Sequence, residues 1–152
     1  MKSILLSLAV FTVIGVSSVL VVKSNFDEPI KRTESLNESW QFLSSNESQL
    51  EEISINTDWE AVDLPHSWNS LDATDMTPGY RRGAGWYKKS LDFEIDDDKR
   101  YFIYFEGANI TTDVYVNNEK AGTHVGGYVG FEIEITDFLS DDRNEIAVRV
   151  NN

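Results

Sequence analysis

From Gly107 to Asn152 the chain alternates apolar and polar residues in short runs separated by turn formers. Val114 and Val116 fall on one side of an extended segment and Tyr115 on the other. Phe131, Ile133 and Ile135 alternate with Glu132 and Glu134, and Ile146, Val148 and Val150 alternate with Ala147 and Arg149. Side chains on a strand point to opposite faces with a period of two, so each run has an apolar side to bury. The order is strand, turn, strand, Gly-rich loop, strand, turn, strand. Several such strands predict two antiparallel sheets packed face to face.

The upstream chain continues the pattern. Trp40, Phe42 and Leu43 start a first strand. The polar, acidic stretch Asn46 to Glu52 holds a short helical turn pinned by Leu50 and Ile53. Trp59 and Val62 follow, and Pro65 biases Leu64 towards an extended conformation. A long loop is expected from His66 to about Arg82, because Asn69, Asp72, Asp75, Pro78 and Gly79 are poor strand formers. Gly83 and Gly85 bracket the restart. A strand is expected from Trp86 to Ile95, then a turn at Asp96-Asp97-Asp98 and a strand from Tyr101 to Glu106. No internal repeat or sustained helical period interrupts this. The expectation is one all-β sandwich of antiparallel strands over residues 36–152.

The N-terminus has a different pattern. Lys2 precedes an uncharged apolar run from Ile4 to Val22, closed by Lys23. Residues 1–24 read as a secretory signal peptide or as a membrane anchor, since about 20 apolar residues can span a bilayer. Either reading places the rest outside the cytoplasm, periplasmic or extracellular, with the membrane touched only through this segment if it is uncleaved. Residues 25–35 are polar, contain Pro29 and read as a linker.

Composition narrows the partners. Apolar residues at 41% and aromatics at 12% support a packed core. A net charge of -13 repels nucleic acid, whereas a neutral ligand such as a sugar carries no such penalty. The absence of Cys removes disulfides and thiolate chemistry. With two His, a His-ligated metal site is not expected. The Asp runs lack calcium-loop spacing. Gly126-Gly127-Tyr128 follows no strand-to-helix switch, so no dinucleotide cofactor is expected, and its glycines read as a bend needing positive φ.

Five segments, in order, carry a family resemblance: LPHSWN (Leu64 to Asn69), GAGWYKKSLDF (Gly83 to Phe93), YFIYFEGANITTDVYVNNEKAG (Tyr101 to Gly122), HVGGYVGFEIEITDFL (His124 to Leu139) and NEIAVRVNN (Asn144 to Asn152). Together they resemble the N-terminal sugar-binding domain of glycoside hydrolase family 2, which includes β-galactosidases, β-glucuronidases and β-mannosidases. The resemblance implies a jelly-roll sandwich of the galactose-binding-domain type. It also implies a following immunoglobulin-like domain and a barrel carrying an acid/base and a nucleophilic glutamate, held about 5 Å apart in retaining enzymes. No segment here matches either glutamate, and the chain stops directly after its last strand. The expectation is therefore a piece of a longer β-galactosidase-like enzyme, with no catalytic residue and no hydrolysis of its own. The alternatives are a free-standing carbohydrate-binding module and a structural sandwich.

In the family, a loop of this domain reaches the barrel pocket, and an acidic or amide residue before the Trp of a PHxW motif touches a sugar hydroxyl. Here that position is Ser67, whose hydroxyl reaches less far and carries no charge. Asp72 or Asn69 can take the role, a carboxylate accepting from vicinal hydroxyls, or can simply shape turns. His66 can orient the sugar or serve as a hydrogen-bonded structural group. Trp68 can stack on a sugar ring or pack in the core. Trp86 is expected to be structural. Arg81 and Arg82 can pair with an anionic sugar substituent or with the barrel, a solvated or interdomain ion pair being the expected reading.

Overall fold

The computed structural model describes residues 33–53, 57–68 and 82–152. The chain divides into Met1–Ser35 and Leu36–Asn152, and every element below belongs to the second unit. Among the described residues there are eight strands: β1 (Trp40–Ser44), β2 (Glu60–Val62), β3 (Ala84–Leu91), β4 (Phe102–Phe105), β5 (Thr111–Val116), β6 (Glu119–Val125), β7 (Phe131–Glu134) and β8 (Asn144–Asn151). Two single 3-10 turns, Leu50–Glu52 and Thr136–Phe138, accompany them. The result is an all-β jelly-roll sandwich of antiparallel strands, with unequal layers. One sheet has the order β2-β1-β3-β8-β5-β6, and β4 pairs with β7 in the other.

Strand β8 runs between β3 and β5. It pairs with β3 from Leu91↔Asn144 to Ala84↔Asn151 and with β5 from Val116↔Ile146 to Thr111↔Asn151. Period-two alternation then sorts the side chains. Trp40, Phe42, Tyr87, Val114, Val116, Ile146, Val148 and Val150 form the main core with Ile103, and Phe105 and Ile133 of the small sheet pack against it. Trp86, Tyr115 and Ala147 face the other way and are buried beneath Leu43, Leu50, Ile53 and Trp59. The large sheet is thus covered on both faces at its centre. The covering segment is tied down by polar groups: the Trp86 indole N–H and the Arg149 Nε both donate to the Glu47 carbonyl, at 3.1 and 2.9 Å. Its 3-10 turn is capped by Glu52, whose carboxylate accepts from the backbone N–H of Ser48 and Gln49 at 3.0 Å each, and these bonds hold its pKa below the usual value.

Two expected strands are shorter than their apolar alternation. The strand expected to Ile95 stops at Leu91, because its neighbour β8 begins at Asn144, the partner of Leu91, and no ladder exists beyond. Phe93 instead packs on the Tyr101 ring, centroids 5.3 Å apart. Ile135 is buried but lies outside β7, at the N-cap of the second 3-10 turn.

One end of the sandwich is closed by asparagines. Asn117 and Asn118, at φ of 51° and 68°, make the two-residue turn between β5 and β6. Positive φ at both central positions is what a type I′ hairpin turn requires, and Asn tolerates it. The Asn117 amide donates to the Phe138 carbonyl at 2.9 Å and to Asn144 Oδ1 at 2.7 Å, and its own Oδ1 accepts from the Glu145 N–H at 3.0 Å. Asn144 is fully buried and also binds the backbone of Ser140 and Asp142. Asn144→Ala leaves several buried partners unpaired at once and is expected to cost at least about 2 kcal/mol in urea unfolding. Asn118→Gly keeps the turn geometry and is expected to change stability by less than about 0.5 kcal/mol.

Candidate functional site

Beyond β2 the chain passes through the cis Leu64-Pro65 bond to His66, Ser67 and Trp68. Asn69, Asp72 and Arg81 lie outside the described residues. The chain is described again from Arg82. What the structure defines of the His66 to Arg82 loop is therefore how its two ends are held.

The leading end is held by rings. Phe42 of β1 and Tyr87 of β3 are direct cross-strand partners, so their side chains stand together on the core face. His66 Nδ1 lies 2.9 Å from the Tyr87 hydroxyl, and the His66 ring sits 4.7 Å from the Phe42 centroid. The Trp68 ring lies parallel to Phe42, 5.8 Å away at 9°, and 6.4 Å from Tyr87. Gly85 makes room for this stack. It shares the face of Tyr87 two residues on, and a Cβ there would stand 2.6 Å from Phe42 Cε2 and 3.1 Å from Trp68 Cζ3. No side chain fits that gap without displacing a ring.

The trailing end is held by amides. Asn46 Oδ1 accepts from the Ala84 N–H at 2.9 Å. Asn152 Oδ1 accepts from the Gly83 N–H at 3.0 Å, and the Asn152 N–H donates back to the Gly83 carbonyl at 3.2 Å.

These partners decide what the described groups can do. His66 is hydrogen-bonded to Tyr87 within the domain. Burial pushes the Tyr87 phenol up to about 12, so it is neutral at physiological pH and can donate to Nδ1, which leaves the proton of a neutral His66 on Nε2. Trp68 is packed in the ring stack, and its indole N–H is buried with no hydrogen-bond partner among the described residues. Ser67, between the two rings, is exposed. The second histidine, His124, stacks on Phe131 with centroids 3.9 Å apart. Among the described residues no cluster of three or more His, Cys, Asp or Glu could hold a metal ion. A shallow open cleft of about 260 Å³ is lined by Ser39, Ala61, Val62 and Asp63, and that lining includes no aromatic face for a sugar ring.

Sequence reasoning named His66 and Trp68 but not the residues that hold them. Phe42 and Tyr87 meet only through the β1–β3 register, across more than forty residues of chain. The available signal was Gly85, a glycine inside an otherwise bulky strand, which marks a close approach.

Tyr87→Phe removes the bond to His66 and is expected to cost about 1 kcal/mol near neutral pH. The raised pKa means that the folded state keeps the phenolic proton longer than the unfolded state does. That contribution is fully present below about pH 10, where free tyrosine titrates, and is lost as pH rises towards 12. The stability gap between wild type and Tyr87→Phe should narrow over that window, read from urea midpoints at stepped pH.

The comparisons with known proteins agree with this architecture. The family model described as glycosyl hydrolases family 2, sugar binding domain, matches residues 24–152. A putative β-glucuronidase of Formosa agariphila is 48% identical over 120 residues, 78% of this chain and 15% of the relative. A β-glucuronidase of Bacteroides fragilis is 40% identical over 119 residues, 77% of this chain and 16% of the relative. Among solved structures, a putative β-galactosidase from Bacteroides fragilis superposes with a TM-score of 0.68 at 36% identity, over 78% of this chain and 18% of that one. The β-glucuronidase of Bacteroides uniformis superposes with a TM-score of 0.66 at 32% identity, over 78% and 14%. The chain thus spans about one-sixth of the length of these curated relatives, 15% and 16%. It belongs to glycoside hydrolase family 2 and carries that family's N-terminal sugar-binding domain.

Proposed function

We propose that this domain works as part of an exported, retaining exo-β-glycosidase, packing on a catalytic barrel and lending residues of the His66 to Arg82 loop to the pocket that holds the terminal sugar. The observation that carries the reading is the match of 78% and 77% of the chain to relatives named as glycosidases, of which it covers only 15% and 16%. The anchored loop ends add support. Rings hold one end and amides the other, so the intervening residues start and finish at fixed points. The uncharged run from Ile4 to Val22 behind Lys2 supports export.

The substrate proposed first is a β-glucuronide. Relatives of that name reach 48% and 40% identity, against 30–36% for those named β-galactosidase. Reaction in the longer enzyme would go by double displacement between two barrel carboxylates. Asp72 would accept hydrogen bonds from adjacent sugar hydroxyls, with Asn69 and Ser67 as neutral partners beside it.

A hybrid tests this. The matching 120 residues of the Formosa agariphila protein are replaced by those of this chain. The hybrid is expected to hydrolyse p-nitrophenyl β-D-glucuronide faster than the β-D-galactoside, and the 152-residue chain alone neither. Asp72→Ala in the hybrid should lower kcat/KM at least tenfold, about 1.4 kcal/mol. An unchanged value with both substrates removes Asp72 from the pocket. Millimolar or tighter binding of either sugar by the chain alone, read by calorimetry, would mean a self-sufficient carbohydrate-binding module.

A further inference from the structure

Seven large apolar side chains are exposed among the described residues, and five of them gather at one end of the sandwich: Tyr104, Ile110, Val125, Tyr128 and Val129. Tyr128 is 93% exposed, Val125 71% and Tyr104 66%. The backbone brings the segments that carry them together. Thr111 pairs with Val125, and the Gly126 N–H donates to the Ile110 carbonyl at 2.7 Å. Gly126 sits at φ of +150°, which turns the chain out of β6 and into the loop that carries Tyr128 and Val129. Gly130 then lies so close under the Tyr104 ring that a Cβ there would collide with its hydroxyl. A Cβ on Gly127 would likewise collide with Asn109. The loops after β4 and after β6 are therefore packed against each other, with their apolar side chains outward.

This surface shares its end of the sheet with the trailing end of the candidate loop. The Ile110 N–H donates to the Asn151 carbonyl at 2.8 Å, and Asn151 pairs with Ala84, next to Gly83. Exposed apolar side chains gathered at one end of a domain, rather than scattered singly, mark a contact surface. The charges around it restrict what covers it. Residues 102–118 and 121–131 contain no Lys or Arg, and Glu106 directly follows Phe105 at the end of β4. Glu132 is the cross-strand partner of Tyr104. A second copy would bring the same sign of charge, and a nucleic acid or anionic lipid would be repelled. Three branched aliphatic side chains among the five suit protein packing better than the flat face of a sugar ring.

We propose that this end face docks on an apolar, basic-rimmed surface of the polypeptide that makes up the rest of a longer protein. The proposal rests on the reading that the chain is one domain of such an enzyme. It assigns the Gly-rich loop and Tyr104 to interdomain contact, separate from the His66 to Arg82 loop.

Hydrogen exchange of the Gly126 to Gly130 amides tests it, in the 152-residue chain and in the Formosa agariphila hybrid. Exchange is expected to be at least tenfold slower in the hybrid. The double variant Tyr128→Ser/Val129→Asp should restore fast exchange there, while leaving the urea midpoint of the 152-residue chain unchanged because both residues are exposed. Equal exchange in chain and hybrid overturns the proposal. So does slowing in the chain alone with rising protein concentration, which means a second copy, or with added methyl β-D-galactoside, which means a sugar platform. If the hybrid is insoluble, the chain is mixed with the relative's polypeptide lacking its matching residues, and the same amides are read with the same outcomes. Hydrolysis by the hybrid is scored separately. Hydrolysis without protection sinks the docking face alone, and protection without hydrolysis sinks the glycosidase reading alone.

Discussion

Arg149 has hydrophobic neighbours on either side, Val148 and Val150, and that alternation constrains the whole sheet. The two valines enter the main core, while the guanidinium lies on the opposite face, its Nε bonded to the Glu47 carbonyl and its Nη1 3.9 Å from Asp113. A slip of β8 by one residue would exchange the faces, burying a charge among Phe42, Tyr87 and Val114 and taking Ile146 and the two valines out of the main core. Taking an unpaired charge out of water costs several kcal/mol or more, a sizeable share of the stability of a domain this size. Because β8 is bonded on both sides, fixing its register also fixes β3 and β5.

Both ends of the sandwich follow from that register. At one end Asn144 comes opposite Leu91 and beside the Asn117 turn, and its amide bonds replace water for several buried backbone groups. At the other end Asn151 comes opposite Ala84 and Thr111, which brings the return of the candidate loop next to Ile110. Tyr87 is set by the same ladder against Val148, and β1 then places Phe42 beside it. The ring stack that holds His66 and Trp68 is thus a consequence of strand register, with Gly85 supplying the space. Asp113 shows the same economy on the opposite face. Burial alone would raise its pKa, but bonds from Lys120 at 2.7 Å and Thr123 at 2.7 Å more than offset this and hold it below the usual value.

The strands were legible in the sequence wherever alternation is local. Val114 and Val116 against Tyr115, and the three apolar positions of β8, sort onto the expected faces. The helical turn near Leu50 and the positive φ at Gly126 could also be read, since both are decided by a few adjacent residues. What depends on distant partners could not. Ile95 continues the alternation of β3, but a strand lasts only as long as its neighbour, and β8 starts too late. The covering of the second face by the segment around Glu47 is a contact across 39 residues, and no local period announces it. The site shows the same split. His66 and Trp68 stood out by residue type, whereas Tyr87 became a partner only through cross-strand register.

A loop that completes a pocket on another body of protein faces a stricter requirement than a loop that binds by itself. Misplacing a contact by about 1 Å can cost a hundredfold in rate, so its position must be set relative to the other body. Anchoring the two ends of the loop to the sheet sets those ends relative to their own domain only. Rigid-body movement of the domain is a separate freedom, and removing it takes an interface close to the loop ends, where a given rotation displaces them least. The apolar surface around Tyr128 lies at the end where the loop returns, and the asparagine-closed end lies at the far side of the strands. Surface exposure and loop anchoring thus converge on the same end of one sheet, which is where a domain serving a neighbour's chemistry has to make its contact.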